Sequence, residues 1–522
     1  MFKTAGIAAF LTLLLAGPAL AQNVAPEEPR RGGTLVVAMQ SEPVHLDPAK
    51  VTTQNYVEWT MLMVEGLFHI DGDAVSQPHL VDTYEVSDDG LTYTFTLRDG
   101  VQFHNGETLS AEDAVASIGR WFNFGQGREV SDYTASVDVI DDLTFQMVLS
   151  EPFPLLIGYM SVPAGTGLYI YPKSVIDEVG LDDMVTAVGT GPFVFDRWQR
   201  GSVLRVVRND NYAARSEPLS GYAGDRTPWL DAIEFRLIPD AAVRLAGVET
   251  GEFDVARGVV PDNYQMVLNN PNLRAVRYEA APLFVQIDRS HGHSEGGWTG
   301  NQQFRQAVSL ALDKDMLAAS VGNPDFISAE DCNLAVPPIW RTDICQERYH
   351  AYDPERAREI LEEIGYDGEE LIFVTDPSRD YFFNPALITV QMLREVGINI
   401  EIVPVDAATM AEMREQPNTW DFISGGHAGK FDPTLWSPAQ PDHFGWFGAY
   451  PEELQAILDE LRLEPDFDTR VALWEQYTDF WYDWVPMIKV GDQYELHVEN
   501  VAYSGLILTG SGNYVNHGGG WK

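Results

Sequence analysis

The sequence reads PHLVDTYEVSDDGLTYTFTLRDGVQFHNGETLSAEDAVASIGRW over residues 78–121, and this stretch decides the fold. From Leu91 to Leu97 apolar side chains alternate with threonines, a period of two that is typical of a half-buried strand. Asp-Gly pairs on both sides favour turns, because both residue types tolerate a positive φ. A second short strand is predicted over 101–104. Ser110, followed three residues later by an aspartate, predicts the N-cap of a helix.

The same stretch resembles the segment by which the family 5 solute-binding proteins of ABC importers are recognised, the dipeptide-, oligopeptide- and nickel-binding group. That family has a strand of the form YTFxLRxGVxFHxG followed by an xxAxDV helix start, and the corresponding residues here are Tyr93–Gly106 and Ala111–Val115. In the family this segment is structural and does not touch solute. The resemblance therefore implies a fold rather than a ligand.

The fold that the resemblance implies is the α/β, two-lobed periplasmic binding protein fold, with three domains and a β-rich insert in the first lobe. The length of 522 residues also suggests about three domains, at roughly 150 residues each. We expect hinges where the chain crosses between the lobes, near Ala281 and Pro486. The expected boundaries are a signal peptide at 1–21, lobe I at 22–57, an inserted domain II at 58–185, lobe I again at 186–280, lobe II (domain III) at 281–486 and the C-terminal part of lobe I at 487–522.

The first 21 residues have the features of a cleavable secretory signal. Lys3 precedes an apolar run at 7–15, and Ala19-Leu20-Ala21 is a small-x-small cleavage site. No cysteine follows that site, so we expect no lipid anchor, and no later apolar run is long enough to span a bilayer. We therefore expect a periplasmic protein without direct membrane insertion.

The composition is strongly acidic. The chain has 34 basic and 78 acidic residues, which gives a formal net charge of −44. Such a surface repels nucleic acid and anionic membranes, so we expect neither as a partner. The acidic excess is typical of a solvated surface and identifies no particular ligand.

Two cysteines, Cys332 and Cys345, lie close together in a proline-containing loop. In an oxidising compartment we expect a disulfide between them, which would contribute about 3 kcal/mol to stability in the loop-entropy model. The alternative is a pair of free thiols.

Two short motifs point to other classes of protein. Gly292–Gly296 satisfies the G-x-S-x-G nucleophile elbow of α/β hydrolases, with Ser294 as nucleophile, but that elbow needs a strand directly before it and a helix directly after it. The flanks here are polar or rich in glycine. His291 and His293 could suggest metal binding, but no cysteine or acid stands at ligand spacing nearby. A secreted serine hydrolase and a metal-chelate receptor of the nickel type remain the alternatives.

The second half of the chain predicts a βαβ unit. Leu371–Val374 and Ile398–Val403 are predicted strands on either side of a helix over 386–396. Ligands in such sheets sit at the carboxyl ends of the strands, which places the loop after the first strand at a ligand site. In that loop Arg379 resembles the PxSR position at which dipeptide-binding relatives hold the ligand carboxylate. Tyr381, two residues later, is a further candidate contact.

The loop after the next strand, GGHAGKFDP over 425–433, resembles the GGWxxDxxDP loop of the family. In peptide-binding members its first aspartate receives the free amino group of the ligand, and Lys430 stands at or next to that position here. The substitution reverses the charge, although a lysine that points to the surface is the alternative. Gly426 and His427 of the same loop are further candidate ligand contacts.

Aromatic residues are the remaining candidates. Tyr56 stands at the start of a predicted helix whose entry loop lines the cleft in relatives, or else it belongs to the core. Trp436 and Trp446 lie in a loop rich in Pro and Gly, where aromatic side chains either fill the lobe or wall the cleft. Phe284 lies on the extended run 273–288, where relatives cross from one lobe to the other. A helical spacing, in contrast, predicts a core face for Trp474, Tyr477, Trp481 and Trp484.

We therefore predict a periplasmic receptor of an ABC importer, which binds a small solute by hinge closure and delivers it to an inner-membrane ABC permease. We expect a monomer without catalytic residues, cofactor or metal. The family takes peptides, opines, sugars and metal chelates, so the resemblance leaves the solute open. Arg379 and Lys430 would place two cations where a peptide receptor has one cation and one anion. We therefore expect an anionic, carboxylate-bearing solute and weak binding of unblocked peptides.

Overall fold

The computed structural model describes residues 30–42, 45–50, 57–161, 167–184, 187–290, 292–294, 296–334, 337–416, 418–427, 429–440, 450–504, 507–508, 514–515 and 520–521. The expected signal segment and the candidates Tyr56 and Trp446 lie outside these residues. The first elements of the fold are strand β1 (Thr34–Met39) and helix α1 (Val57–Met63).

An inserted unit follows, and it contains the stretch quoted first. Its elements are β2 (Phe68–Ile70), β3 (Ser76–Pro78), β4 (Val81–Val86), β5 (Thr92–Leu97), α2 (Ala111–Trp121), α3 (Gly125–Tyr133), β6 (Thr134–Val139), β7 (Thr144–Leu149), α4 (Leu156–Ser161) and α5 (Lys173–Val179). The main sheet has the antiparallel order β4-β5-β7-β6. The strand expected from the alternating pattern is confirmed as β5, which buries Tyr93, Phe95 and Leu97 in the apolar core of this unit.

Of two predictions made from local sequence patterns around β5, the helix cap is correct and the second strand is not. The helix start is confirmed, because Asp113 accepts hydrogen bonds from the backbone N–H and the hydroxyl of Ser110, at 2.8 and 2.7 Å. The strand expected over 101–104 is wrong. Gln102 makes only an isolated bridge with Thr108, since turns on both sides leave too few residues for a ladder.

The chain next builds half of a large sheet. The elements are β8 (Phe193–Gln199), β9 (Val203–Arg208), β10 (Ala232–Leu237), α6 (Ala241–Thr250), β11 (Val255–Val259) and α7 (Tyr264–Leu268). β1 lies between β11 and β10 and is parallel to both, whereas β10, β9 and β8 pair antiparallel. Together with β1 these elements correspond to the expected lobe I.

The next part of the chain, which includes the expected lobe II, begins with a long strand and alternates helices with strands. Its elements are β12 (Leu273–Ile287), α8 (Gln302–Leu310), α9 (Lys314–Val321), β13 (Ile327–Ser328), α10 (Gln346–Tyr349), α11 (Pro354–Glu363), β14 (Leu371–Thr375), α12 (Asp380–Glu395), β15 (Ile400–Pro404), α13 (Ala407–Glu415), β16 (Phe422–Gly426), α14 (Glu452–Leu463) and α15 (Phe467–Trp484). The expected βαβ unit is confirmed as β14, α12 and β15. The helix begins at Asp380 rather than Ala386, because Pro385 removes one hydrogen bond without ending the helix.

Two long strands join the lobes: β12 and β17 (Met487–Asn500), which pair antiparallel. The end of β12 also pairs with β16, and the end of β17 with β11, so one sheet of order β15-β14-β16-β12-β17-β11-β1-β10-β9-β8 runs through both lobes. The register of the β12–β17 pair shifts near Ala281, which lies opposite Gln493. Pro486 lies directly before β17. The last described strands are β18 (Tyr503–Ser504), β19 (Ile507–Leu508), β20 (Tyr514–Val515) and β21 (Gly520–Trp521).

The interior of lobe II confirms two further predictions. Trp474, Tyr477 and Trp481 of α15 are buried in its apolar core, as their helical spacing indicates. A disulfide joins Cys332 to Cys345, whose Cα atoms lie 5.7 Å apart. Among the helices that the structure describes, none combines the length and apolarity needed to cross a membrane.

Candidate functional site

The carboxyl ends of β14 and β16 meet at one edge of the lobe II sheet. The two strands are parallel neighbours, and near their ends the Thr375 and Ser424 hydroxyls lie 3.0 Å apart. Each strand continues into a polar loop, one with Arg379 and the other with Lys430. Adjacent parallel strands therefore bring together the two loops that carry the candidate cations.

Arg379 stands at the N-terminus of α12 with its side chain 44% exposed. Its Nε lies 3.2 Å from Oδ2 of Asp376, a buried carboxylate that also accepts from the backbone and hydroxyl of Ser378, at 2.9 and 2.7 Å. These bonds orient the loop while the guanidinium remains accessible. Such a planar group can hold a carboxylate through two parallel hydrogen bonds.

Tyr381 is half-buried and lies beside Arg379. Burial raises the pKa of its phenol, Arg379 lowers that pKa, and Glu495 of β17 raises it. Tyr381 therefore lies within electrostatic range of both a lobe II cation and a carboxylate on the crossing strand.

Lys430 is half-buried in the loop after β16. Burial lowers the pKa of its ammonium group. Within the ranges described above, its ammonium has no ion-pair partner. A lysine partly removed from water without a carboxylate is energetically unfavourable, so an anion next to it would be stabilising.

Four further candidates form one cluster at the end of β16. The Phe284 ring lies 5.9 Å from His427 and 5.9 Å from Trp436, measured between ring centroids, and Gly426 pairs with Leu283 of β12. Trp436 is fully buried and belongs to the lobe II core. The cluster therefore supports the loop from inside lobe II. The positions of Tyr56 and Trp446 are outside the described residues.

One pair of residues that contact each other across the two crossing strands was not predicted from the sequence. Tyr278 of β12 donates its hydroxyl hydrogen to Glu495 Oε2 at 2.7 Å, and both line a small cavity of about 20 Å³. The cavity is also lined by Gln40 and Ser41 after β1, and by Arg257 of β11. These residues come from strands far apart in the chain, so only the sheet pairing brings them together.

The G-x-S-x-G segment is not a nucleophile elbow. β12 ends at Ile287, and the turn after the motif is a short 3₁₀ segment rather than an α-helix. The backbone N–H groups of His293 and Ser294 donate to Asp421 Oδ1, at 2.8 and 3.1 Å. In the described residues the Ser294 hydroxyl has no hydrogen-bond partner, so no base activates it. The geometry therefore does not favour the hydrolase alternative.

The described residues also contain no cluster of three or more His, Cys, Asp or Glu side chains arranged to hold a metal ion. His291, one half of the H-x-H pair, lies outside them. The structure thus offers no support to the metal-chelate alternative.

Comparison with known proteins agrees with this geometry. The family model of the bacterial extracellular solute-binding proteins, family 5 Middle, matches residues 76–445. The chain is 26% identical over 479 residues to the probable peptide ABC transporter periplasmic-binding protein y4tO of Sinorhizobium fredii, covering 88% of this chain and 89% of that one. It is 29% identical over 403 residues to the glutathione-binding protein GsiB of Salmonella paratyphi A, covering 76% and 74%.

A solved structure shares the fold. The ABC transporter substrate binding protein CtaP from Listeria monocytogenes superposes with a TM-score of 0.76 at 18% identity, covering 91% of this chain and 96% of that chain. The family match spans most of the chain, and the two-lobed architecture agrees with it. The chain belongs to the bacterial extracellular solute-binding proteins of family 5, which are substrate-binding receptors of ABC importers and not enzymes.

Proposed function

We propose that this protein captures a carboxylate-bearing, anionic solute between its two lobes in the periplasm and delivers it to an inner-membrane ABC permease. The observation that carries the proposal is Lys430, a half-buried ammonium without an ion-pair partner in the described chain. Arg379, at the end of the neighbouring strand, supplies a second and accessible cation. The solute would be held between these two groups.

An anion bound next to Lys430 would be energetically favourable. Burial of an unpaired cation is costly, and a carboxylate within hydrogen-bond distance of Lys430 would offset that cost. A free amino terminus in the same place would instead add a second positive charge. The net charge of −44 does not oppose binding, because at a screening length of about 8 Å in physiological salt only nearby charges act on a solute already in the cleft.

Glutathione is the first solute to test, because a relative bears the name glutathione-binding protein and the compound has two carboxylates and one amino group. The proposal includes the expected domain boundaries, removal of residues 1–21 as a signal peptide, and a monomeric mature protein. The ligand contacts proposed are Arg379, Tyr381 and Lys430, supported by the cluster around His427.

The test is calorimetry of the mature protein with glutathione, with the dipeptide Ala-Ala, and with N-acetyl-Ala-Ala, which lacks the amino charge. We expect wild type to bind glutathione or N-acetyl-Ala-Ala more tightly than Ala-Ala, and Arg379→Ala and Lys430→Asp to weaken that binding by about 2–5 kcal/mol. The control is Lys173→Asp, which reverses the charge of an exposed lysine on α5.

Two results would refute the proposed solute class. Tight binding of Ala-Ala by wild type, or unchanged binding of the carboxylates in both site variants, would each do so. Mass spectrometry of the solute retained through purification gives an independent answer, because a retained solute without an anionic group is incompatible with the proposal.

A further inference from the structure

The loop that carries Lys430 also contacts the inserted unit. The next residue, Phe431, places its ring edge-on against Tyr159 of α4, with centroids 6.4 Å apart. Phe431 and Leu435 both pack on the apolar core of the inserted unit, although they belong to lobe II. One short segment, residues 430–435, therefore links the candidate solute site to the inserted unit.

The contact depends on a glycine. A Cβ atom built on Gly158 of α4 would overlap the aromatic carbons of Phe431, the nearest atoms to it. Gly158 thus leaves room on the helix surface that the ring occupies. In this protein any side chain at position 158 is incompatible with the Phe431 ring in its present place.

Lobe II holds the same segment firmly from its own side. The Trp340 indole N–H donates to the Phe431 carbonyl at 3.1 Å, and Arg470 Nη2 lies 2.7 Å from Asp432 Oδ2. Asp432 and Arg470 are both buried. Because the segment is fixed to lobe II, a rotation of lobe II relative to the inserted unit would change its contact with α4 without movement of the segment within lobe II.

We infer that Phe431 and Gly158 form a positioning contact that holds Lys430 in the closed cleft and so sets the affinity for solute without touching it. The role of Lys430 in this inference rests on the proposed function. A solute that binds only the closed form gains apparent affinity in proportion to the fraction of closed protein. A contact present only in the closed form raises that fraction, so its loss weakens capture even when every solute-binding group is intact.

The experiment compares wild type with Gly158→Ala, Phe431→Ala and the double variant. The matched control is Gly119→Ala, since Gly119 lies in helix α2 of the same inserted unit and a Cβ there meets no atom within 4 Å. The first measurement is hydrogen–deuterium exchange of residues 429–436, with and without glutathione. The second is calorimetric titration with glutathione, and the third is the melting temperature.

We expect Gly158→Ala to speed exchange in residues 429–436 of lobe II, although the substitution lies in the inserted unit. Glutathione affinity should fall about tenfold, the order of a typical coupling between two sites. Phe431→Ala also lacks the contact and should bind glutathione more weakly than wild type, and because the smaller residue at 431 removes the overlap, the double variant should have the same affinity as Phe431→Ala. Gly119→Ala should match wild type in all three measurements.

Two outcomes would overturn the inference. The first is an amide exchange rate of residues 429–436 in Gly158→Ala that equals the rate in wild type, both with and without glutathione. The other is a lower melting temperature in Gly158→Ala with no change confined to that segment, which would mark a defect of folding only. If wild type does not bind glutathione, the proposed solute is wrong, whereas the exchange measurement still decides on the contact.

Discussion

Ala281 of β12 pairs with Gln493 of β17 at the point where the two crossing strands shift register. On one side of this point β12 pairs with β16 of lobe II, and on the other β17 pairs with β11 of lobe I. Irregular pairing bends and twists a strand pair locally, so we expect the lobes to rotate about each other at this point.

The first prediction is compaction on binding. Saturating glutathione should reduce the radius of gyration of wild type in small-angle scattering and raise its melting temperature, because a ligand of the native state must stabilise it. Lys430→Asp under the same conditions should show neither change. Scattering of wild type that stays the same at saturation would contradict hinge closure.

The sequence was sufficient for features that depend on neighbours in the chain. The alternation in β5 and the Ser110 cap are local, and so is the rule that places the Arg379 loop at a strand end. The burial of Trp436 was not predictable, because a loop has no periodic pattern that distinguishes a core residue from a surface residue. The Tyr278–Glu495 pair was not predictable either, since it joins residues 217 positions apart through a strand register that tertiary packing sets.

The second prediction concerns the disulfide. The Lys489 ammonium of β17 donates hydrogen bonds to the backbone carbonyls on both sides of Cys332. The acceptors are the carbonyl of Asp331 at 2.8 Å and that of Asn333 at 2.6 Å. Replacing Cys332 and Cys345 together by serine should lower the free energy of unfolding by about 3 kcal/mol. Urea unfolding checks this, and a reducing agent should lower the stability of wild type but leave the double variant unchanged. Free thiols in denatured, unreduced wild type would reject the bridge.

The third prediction concerns a buried carboxylate where the inserted unit meets lobe I. Glu65 accepts hydrogen bonds from His79, Tyr212 and Thr190, each at 2.8 Å, and from Arg226 at 3.0 Å. Burial alone would raise the pKa of Glu65, but His79 and Arg226 hold that pKa well below its ordinary range.

Glu65→Ala would leave Arg226 buried without its counter-charge, so it should lower the free energy of unfolding by about 3–5 kcal/mol. The control is Glu217→Ala, which removes an exposed partner of Arg215 and should cost at most about 1 kcal/mol. Chemical denaturation measures both. Equal losses in the two variants would show that the buried network is not required for stability.

The last prediction is a loss of stability in mild acid, and it follows from His69. The Gly66 backbone N–H donates to His69 Nε2 at 3.1 Å, while the Tyr222 carbonyl accepts from Nδ1 at 2.9 Å. Only a neutral imidazole can do both, because Nε2 must carry no proton. Burial, and then the charges of His79 and Arg226, lower the pKa of His69 well below its ordinary value.

The folded protein therefore binds fewer protons at His69 than the unfolded chain does once the pH falls below the ordinary pKa of about 6.5. Stability is then complete above that pH and declines below it, by up to about 1.4 kcal/mol per pH unit for this one group. Urea unfolding of wild type at about pH 7.5 and about pH 5.5 should show the decline. His69→Gln, which has no titrating group, should show a smaller decline, whereas His350→Gln at an exposed position should behave like wild type. A decline in His69→Gln as large as that of wild type would assign the acid sensitivity to other groups.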